Sequence, residues 1–295
     1  MSPHSQARPA NSGWAIFIMV GAAALVAVTS LIAKALGVGG GASGLHPLQV
    51  SMGRFWFALA ALGLFVALRP SLRPAFDVSR WRLHLARSIC GWIGVTAMFA
   101  AVAQMPMAEA TAISFLNPVV TVVLAALMLS ERLGVRKLAA MGLALAGAAL
   151  ILRPGSAAFQ IAGVYALIAA LILGLETIFI KRLTNAEPPL RILLFNNAIG
   201  AVLSGVAAFF VWTAPTAEQW LLLICLGGVM ICAQGLFLQA MKRGEASYVI
   251  PAFYSVLVFA ALYDWGLYGV IPDAFAFAGS ALIMTGVILL SRVKA

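Results

Sequence analysis

A handful of ionisable and amide side chains in this sequence lie inside long apolar runs. A charged group at the centre of a membrane helix costs roughly 2.5–3.5 kcal/mol, so each one needs a partner or a use. Arg54, Glu176 and Asp264 are charged, and Asn117, Asn197 and Gln234 carry amides. A guanidinium presents a planar fork of donors that matches a carboxylate. A buried carboxylate can receive an ammonium group or a proton, so Glu176 and Asp264 are candidates for proton coupling. Trp92, Tyr248 and Tyr254 offer flat apolar walls with a polar tip. Pro118 and Pro251 each remove a backbone donor inside an apolar run, which breaks or kinks a helix and turns carbonyls toward a cavity. Hydrogen bonding between helices explains each amide singly. Their shared depth with Asn117 favours a pocket for a small molecule with both charged and apolar parts.

Other chemistries find less support. The three cysteines, Cys90, Cys225 and Cys232, sit in apolar runs without metal-ligand spacing, so neither a metal nor a disulfide is expected. Gly41-Ala-Ser43-Gly44 matches the serine motif of a rhomboid protease, but no deep histidine is present as its base. Tyr263-Asp264 lacks the second carboxylate of an intramembrane aspartyl protease, and the glycines at 37–44 follow no strand. A catalytic role and a bound cofactor are therefore not expected. The net charge of +10 falls in short clusters rather than a patch that could track phosphates, so no nucleic-acid partner is expected either.

The elements that would position these residues follow from composition. Of 295 residues, 63% are hydrophobic and 9% are charged, against roughly 25% charged in soluble domains. The mean hydropathy is +1.03. A lipid bilayer is the partner such a surface requires. Ten segments are long and apolar enough to cross it: 13–36, 47–68, 82–104, 107–129, 135–152, 160–180, 189–213, 219–240, 246–268 and 273–291. With the N-terminus placed inside, fifteen of the nineteen basic residues fall on the cytoplasmic side and only Lys34 and Arg153 outside. This bias puts both termini in the cytoplasm.

The two halves of the chain echo each other. The stretch 105–111 (MPMAEAT) parallels 241–247 (MKRGEAS), and each opens a span with a proline inside it. Five spans per half is an odd number, so the halves must be inverted. Equivalent loops carry opposite charge, as inversion demands: 104–108 has no basic residue and 241–245 has two. The expected organisation is a short tail over 1–12, a first repeat over 13–155 and a second over 156–295. Small residues recur every four positions at Ala140, Ala144 and Ala148, and at Ala162, Ala166, Ala170 and Gly174. Such stripes serve close helix packing, within a monomer or across a homodimer. Lys34 and Arg54 flank the outer ends of the first two spans, where basic side chains also reach toward headgroups. His84 and Arg87 read as anchors at the cytoplasmic interface. Glu109 and Glu245 read as first-turn carboxylates favoured by the helix dipole.

The segment Pro106 to Pro118 (PMAEATAISFLNP), followed by 129–133 (LSERL), resembles the fourth span of the EamA-like family of the drug/metabolite transporter superfamily. Arg54-Phe55 and Lys34 also look like that family. The chain departs from it at Asp264-Trp265, where a Glu–Arg pair is usual. The resemblance implies an all-α bacterial inner-membrane protein with ten helices in two inverted five-helix repeats around a central cavity. It further implies a secondary transporter that moves a small-molecule substrate by alternating access. Among family activities the sequence is most similar to exporters of amino acids, aromatic ones included. Drug-like cations and nucleoside-type metabolites are the alternative cargo.

Overall fold

The computed structural model describes residues 12–38, 44–69, 71, 79–129, 134–152, 161–184, 186–243 and 252–292. Every regular element among them is helical: α1 (Ser12–Val38), α2 (Pro47–Leu68), α3 (Trp81–Val102), α4 (Met107–Ser114), α5 (Asn117–Leu129), α6 (Val135–Leu152), α7 (Ile161–Thr184), α8 (Pro189–Phe209), α9 (Ala217–Arg243), α10 (Ser255–Tyr268) and α11 (Ala274–Arg292). Among the described residues, seven helical segments are long and apolar enough to cross a membrane, and three shorter apolar helices join them. Helix is the form that satisfies every backbone donor and acceptor within one lipid-exposed segment. Large apolar side chains accordingly face outward, as at Phe209, Phe210 and Phe277.

The main packing partners obey one exchange of halves. Helix α3 packs on α7, and its counterpart α9 packs on α1. The α3–α8 contact is mirrored by α9–α2, and α5–α7 by α10–α1. Helices α2 and α8, α4 and α10, and α6 and α11 pair with their own counterparts. This is the pattern of two inverted five-span repeats.

The small-residue stripes are used inside the single chain. Ala140, Ala144 and Ala148 are buried on α6, where α11 packs. A Cβ on Gly286 would stand 2.6 Å from the carbonyl oxygen of Ala140. Only a bare glycine allows that approach.

The fourth span is broken into two helices, and the break falls at Phe115–Leu116, just before Pro118. Pro118 lies in the first turn of α5, where a missing N–H costs least. Its ring cannot donate to the carbonyl of Ser114 one turn back, so the chain tightens before it. Phe115 donates to the Thr111 carbonyl and Leu116 to that of Ile113. Asp264 lies inside α10, within the expected ninth span, and is 1% exposed.

Candidate functional site

The broken fourth span forms one wall of a cavity of about 180 Å³. Val26, Thr29 and Ser30 reach it from α1, Arg54 from α2, and Val95, Met98 and Phe99 from α3. Thr111, Ser114, Phe115 and Asn117 surround the break, and Leu173, Met230, Phe253 and Val256 close the side belonging to the second half. The lining is mostly apolar with a few polar groups, which is how small-molecule sites are built. Sites for drug-sized ligands run to roughly 300–1,000 Å³, so this one suits a smaller molecule.

Arg54 supplies the charge. It is 4% exposed, and its guanidinium lies 4.1 Å from the centre of the Phe55 ring. Its Nε and Nη1 are buried without a hydrogen-bond partner. Other buried cations among the described residues have carboxylates. Lys34 pairs with Asp264, Arg87 with Glu176, and His84 with Glu187. Arg54 alone among them has no carboxylate at ion-pair distance; it feels the charge of Glu176 only from farther off.

Behind Arg54 lies a second polar layer. Arg87 Nε stands 3.3 Å from Glu176 Oε1, and both residues interact electrostatically with Arg54. Gly91 makes room for the carboxylate, since a Cβ there would come 2.7 Å from Glu176 Oε1. Asn196 is 2% exposed, and its Oδ1 has no hydrogen-bond donor. Helices α2 and α8 both open on a Pro-Leu step, Pro47-Leu48 and Pro189-Leu190. Counted from those prolines, Asn196 holds the position in α8 that Arg54 holds in α2.

Ion pairs tie the helices together at both ends. At the N-terminal ends of α3 and α8, His84 Nε2 lies 2.9 Å from Glu187 Oε2, and Arg191 Nη1 lies 3.9 Å from the same oxygen. The His84 ring stacks on Phe195 at 4.3 Å. At the opposite end, Lys34 Nζ donates to Asp264 Oδ1 at 2.6 Å, and the Ala108 N–H donates to Oδ2 at 3.1 Å. Lys34 also sits 4.4 Å over the Tyr268 ring. One carboxylate thereby joins α1, α4 and α10.

Of the residues singled out in the sequence, Arg54 and Asn117 line the cavity and Glu176 stands behind it. Tyr254 is set back, edge-on to the lining residue Phe115 at 5.2 Å. Trp92 is half-buried, with an Nε1 that finds no acceptor. Asn197 spends its amide on the Leu193 carbonyl of its own helix. Gln234 lies one turn beyond the lining residue Met230, with its Oε1 unpaired. Tyr248 and Pro251, like Glu245, lie outside the described residues. His84 and Arg87 are not interface anchors: they are 0% and 7% exposed and ion-paired. Lys34 does not reach for headgroups either, because Asp264 holds it inside.

Sequence reasoning missed Thr29, Ser30, Thr111 and Ser114 in the lining, and Glu187. Small hydroxyls are common in membrane helices because they can bond their own backbone, as Thr29 does to the Val26 carbonyl. For Thr111 and Ser114 the one sequence signal is proximity to the Pro118 break; Thr29 and Ser30 carry none. Glu187 reads as an ordinary loop charge.

The sequence profile of the EamA-like transporter family matches residues 13–153 and again 160–292. The S-adenosylmethionine uptake transporter of Rickettsia bellii (strain RML369-C) is 26% identical over 285 residues, which cover 96% of this chain and 94% of that protein. The pseudopaline exporter CntI of Pseudomonas aeruginosa (strain UCBPP-PA14) is 26% identical over 71% of this chain and 75% of its own length. The riboflavin transporter of Rhizobium johnstonii (strain DSM 114642 / LMG 32736 / 3841) is 31% identical over 72% of this chain and 70% of its own. One solved crystal structure, 20% identical, superposes with a TM-score of 0.60 over 94% of this chain and 95% of its own, which shows a shared fold. A duplicated profile match over nearly the whole length, a ten-span architecture with exchangeable halves, and relatives that are transporters lead to one statement: this multi-pass membrane protein belongs to the EamA-like transporter family.

Proposed function

We propose that the chain carries small amino-acid-like metabolites through the central cavity, and that Arg54 binds their carboxylate. The observation that carries this reading is the unpaired guanidinium of Arg54 in the cavity wall. A buried guanidinium with unpaired donors that shares its nearest carboxylate with Arg87 is costly, and a ligand carboxylate would pair those donors. The Thr111 and Ser114 hydroxyls and the Asn117 amide offer acceptors for an ammonium group. Phe99, Phe115 and Phe253 offer walls for an apolar side chain, aromatic ones included. S-adenosylmethionine, the cargo of one relative, ends in an α-amino-acid group. A drug-like cation fits less well, because Arg54 repels it.

Trp92, Asn197, Gln234 and Tyr254 belong to the shell around the cavity in this proposal and reach the ligand only when the halves rock. The end of the bundle holding His84 faces the cytoplasm, with both termini inside, as the basic-residue bias requires. The membrane is the bacterial inner membrane and the direction is export, driven by a gradient. Proton coupling is assigned to Glu176. It is not assigned to Asp264, whose two oxygens are held by Lys34 and Ala108.

The test is efflux and counterflow of labelled tryptophan and threonine in proteoliposomes, with and without an imposed pH gradient. Native protein should move an amino acid, and Arg54→Gln should lose most of that flux. Failure of every amino acid, or full activity in Arg54→Gln, overturns the cargo assignment. Indifference to the pH gradient removes the coupling role of Glu176.

A further inference from the structure

Buried polar atoms without a partner gather between the cavity and the end of the bundle that holds His84. On α3, Ser88 Oγ, Trp92 Nε1 and Thr96 Oγ1 are all buried and unpaired. They stand four residues apart, so they share one face of the helix. Val95 and Phe99, which line the cavity, lie on that face too. Ile93 points away from it and is 37% exposed. Three further groups converge on Gly91, which has no side chain. A Cβ there would stand 2.7 Å from Glu176 Oε1 and 3.5 Å from Asn196 Oδ1. Arg87 Nε lies 3.3 Å from the same Glu176 oxygen but is not aligned to donate to it, and Arg87 Nη1 has no partner either. Arg87, Ser88 and Asn196 are 7%, 0% and 2% exposed. Folded proteins seldom leave donors and acceptors buried side by side without partners. A band that does so is a place for a polar ligand.

We propose that Arg87 and Asn196 form a second binding station for the amino-acid head group of the cargo, set between the Arg54 cavity and the His84 end. The unpaired donors of Arg87 take the carboxylate, and Asn196 Oδ1 accepts from the ammonium. The head group is a zwitterion, so it brings no net charge into the layer. The station does not depend on the protonation state of Glu176. As a carboxylate, Glu176 joins Asn196 in accepting from the ammonium. As a carboxylic acid, it loosens its hold on Arg87. Trp92 and Thr96 line the way between the two stations when the halves rock. This inference rests on the amino-acid-like reading above and adds a second site to it.

Ser88→Cys is the probe, with alanine in place of Cys90, Cys225 and Cys232. Its reaction with a small anionic methanethiosulfonate, added on both faces of proteoliposomes, is followed with and without saturating tryptophan. The thiol should label, and tryptophan should slow the labelling at least fivefold. Ile93→Cys, on the outward face of α3, should stay unlabelled. With Arg54→Gln added, protection at position 88 should persist even though transport falls. With Arg87→Gln added, protection should be lost while labelling without tryptophan remains. Asn196→Ala should raise the tryptophan concentration for half-protection at least tenfold. Each variant is first checked for native-like melting in detergent. Should Arg87→Gln fail to assemble, Asn196→Ala still decides.

A thiol at position 88 that never labels, or one that labels without protection by tryptophan, overturns the station. So does protection that is lost in Arg54→Gln, or kept in full when Arg87 or Asn196 is replaced, since either result leaves Arg54 as the one site. Native protein that moves no amino acid defeats the cargo reading and the station with it, whereas a native amino-acid carrier without protection at position 88 defeats the station alone.

Discussion

Replacing Asp264 by asparagine should strongly destabilise the protein through Lys34. The two side chains are 1% and 9% exposed and meet at 2.6 Å. The substituted amide would keep an acceptor for the Ala108 N–H but would leave the Lys34 ammonium buried without its counter-ion. Removing one partner of a buried pair costs about 3–5 kcal/mol. Proteins of 150–250 residues lose about 2–4 °C of melting temperature per kcal/mol, so a drop of at least about 6 °C is expected by that scale. Lys34→Met alone should also destabilise, because it strands the carboxylate. The double variant Lys34→Met/Asp264→Asn removes both charges and should recover most of the loss, since buried pairs are often replaceable by uncharged groups at little net cost. The assay is thermal melting in detergent, followed by fluorescence-detected size exclusion. Single variants that melt with the native protein, or a double variant no more stable than the singles, would refute the reasoning.

Other substitutions test separate parts of the description. Pro118→Ala restores a backbone donor for the Ser114 carbonyl and should straighten the fourth span; counterflow should slow severalfold while melting holds or rises. Gly91→Ala puts a methyl group 2.7 Å from Glu176 Oε1 and should cost about 1–3 kcal/mol by overpacking, seen as both lower melting and slower counterflow. Gly286→Val drives side-chain atoms into the α6 backbone and should lower melting by a similar or larger amount. Glu187→Ala leaves His84 without its carboxylate and should destabilise by about 1–3 kcal/mol; unchanged melting would show that the cluster contributes nothing to assembly.

The architecture was legible because a bilayer imposes its constraint on each segment separately. Twenty apolar residues must be helical whatever their neighbours do. Arg54 was legible for the same reason, since a cation two turns inside a span stands out without tertiary knowledge. The break before Asn117 was legible in kind and misplaced by a turn, because Pro118 disrupts the helix behind it rather than at its own position. The ion pairs were not legible. Lys34 and Asp264 are 230 positions apart, and His84 and Glu187 are 103 apart. Nothing local to either residue names the other. Lys34, His84 and Arg87 each sit near a span end, where solvation by headgroups explains them as well as a partner does. The hydroxyls of the cavity were hidden by their own chemistry, because a serine that bonds its own helix is at home anywhere in a membrane.

The matched prolines of α2 and α8 place an arginine in one half where the other half has Asn196. Two halves that exchange so evenly in their packing thus differ at this matched position. Under the proposed cargo reading, a ligand held by Arg54 travels with α2, and the second half supplies the surface that slides past it. Inward-facing and outward-facing states of such a carrier are mirror images in their helices but not in their grip. Its affinity for the same molecule should accordingly differ on the two sides of the membrane, a built-in bias toward loading on one side and letting go on the other.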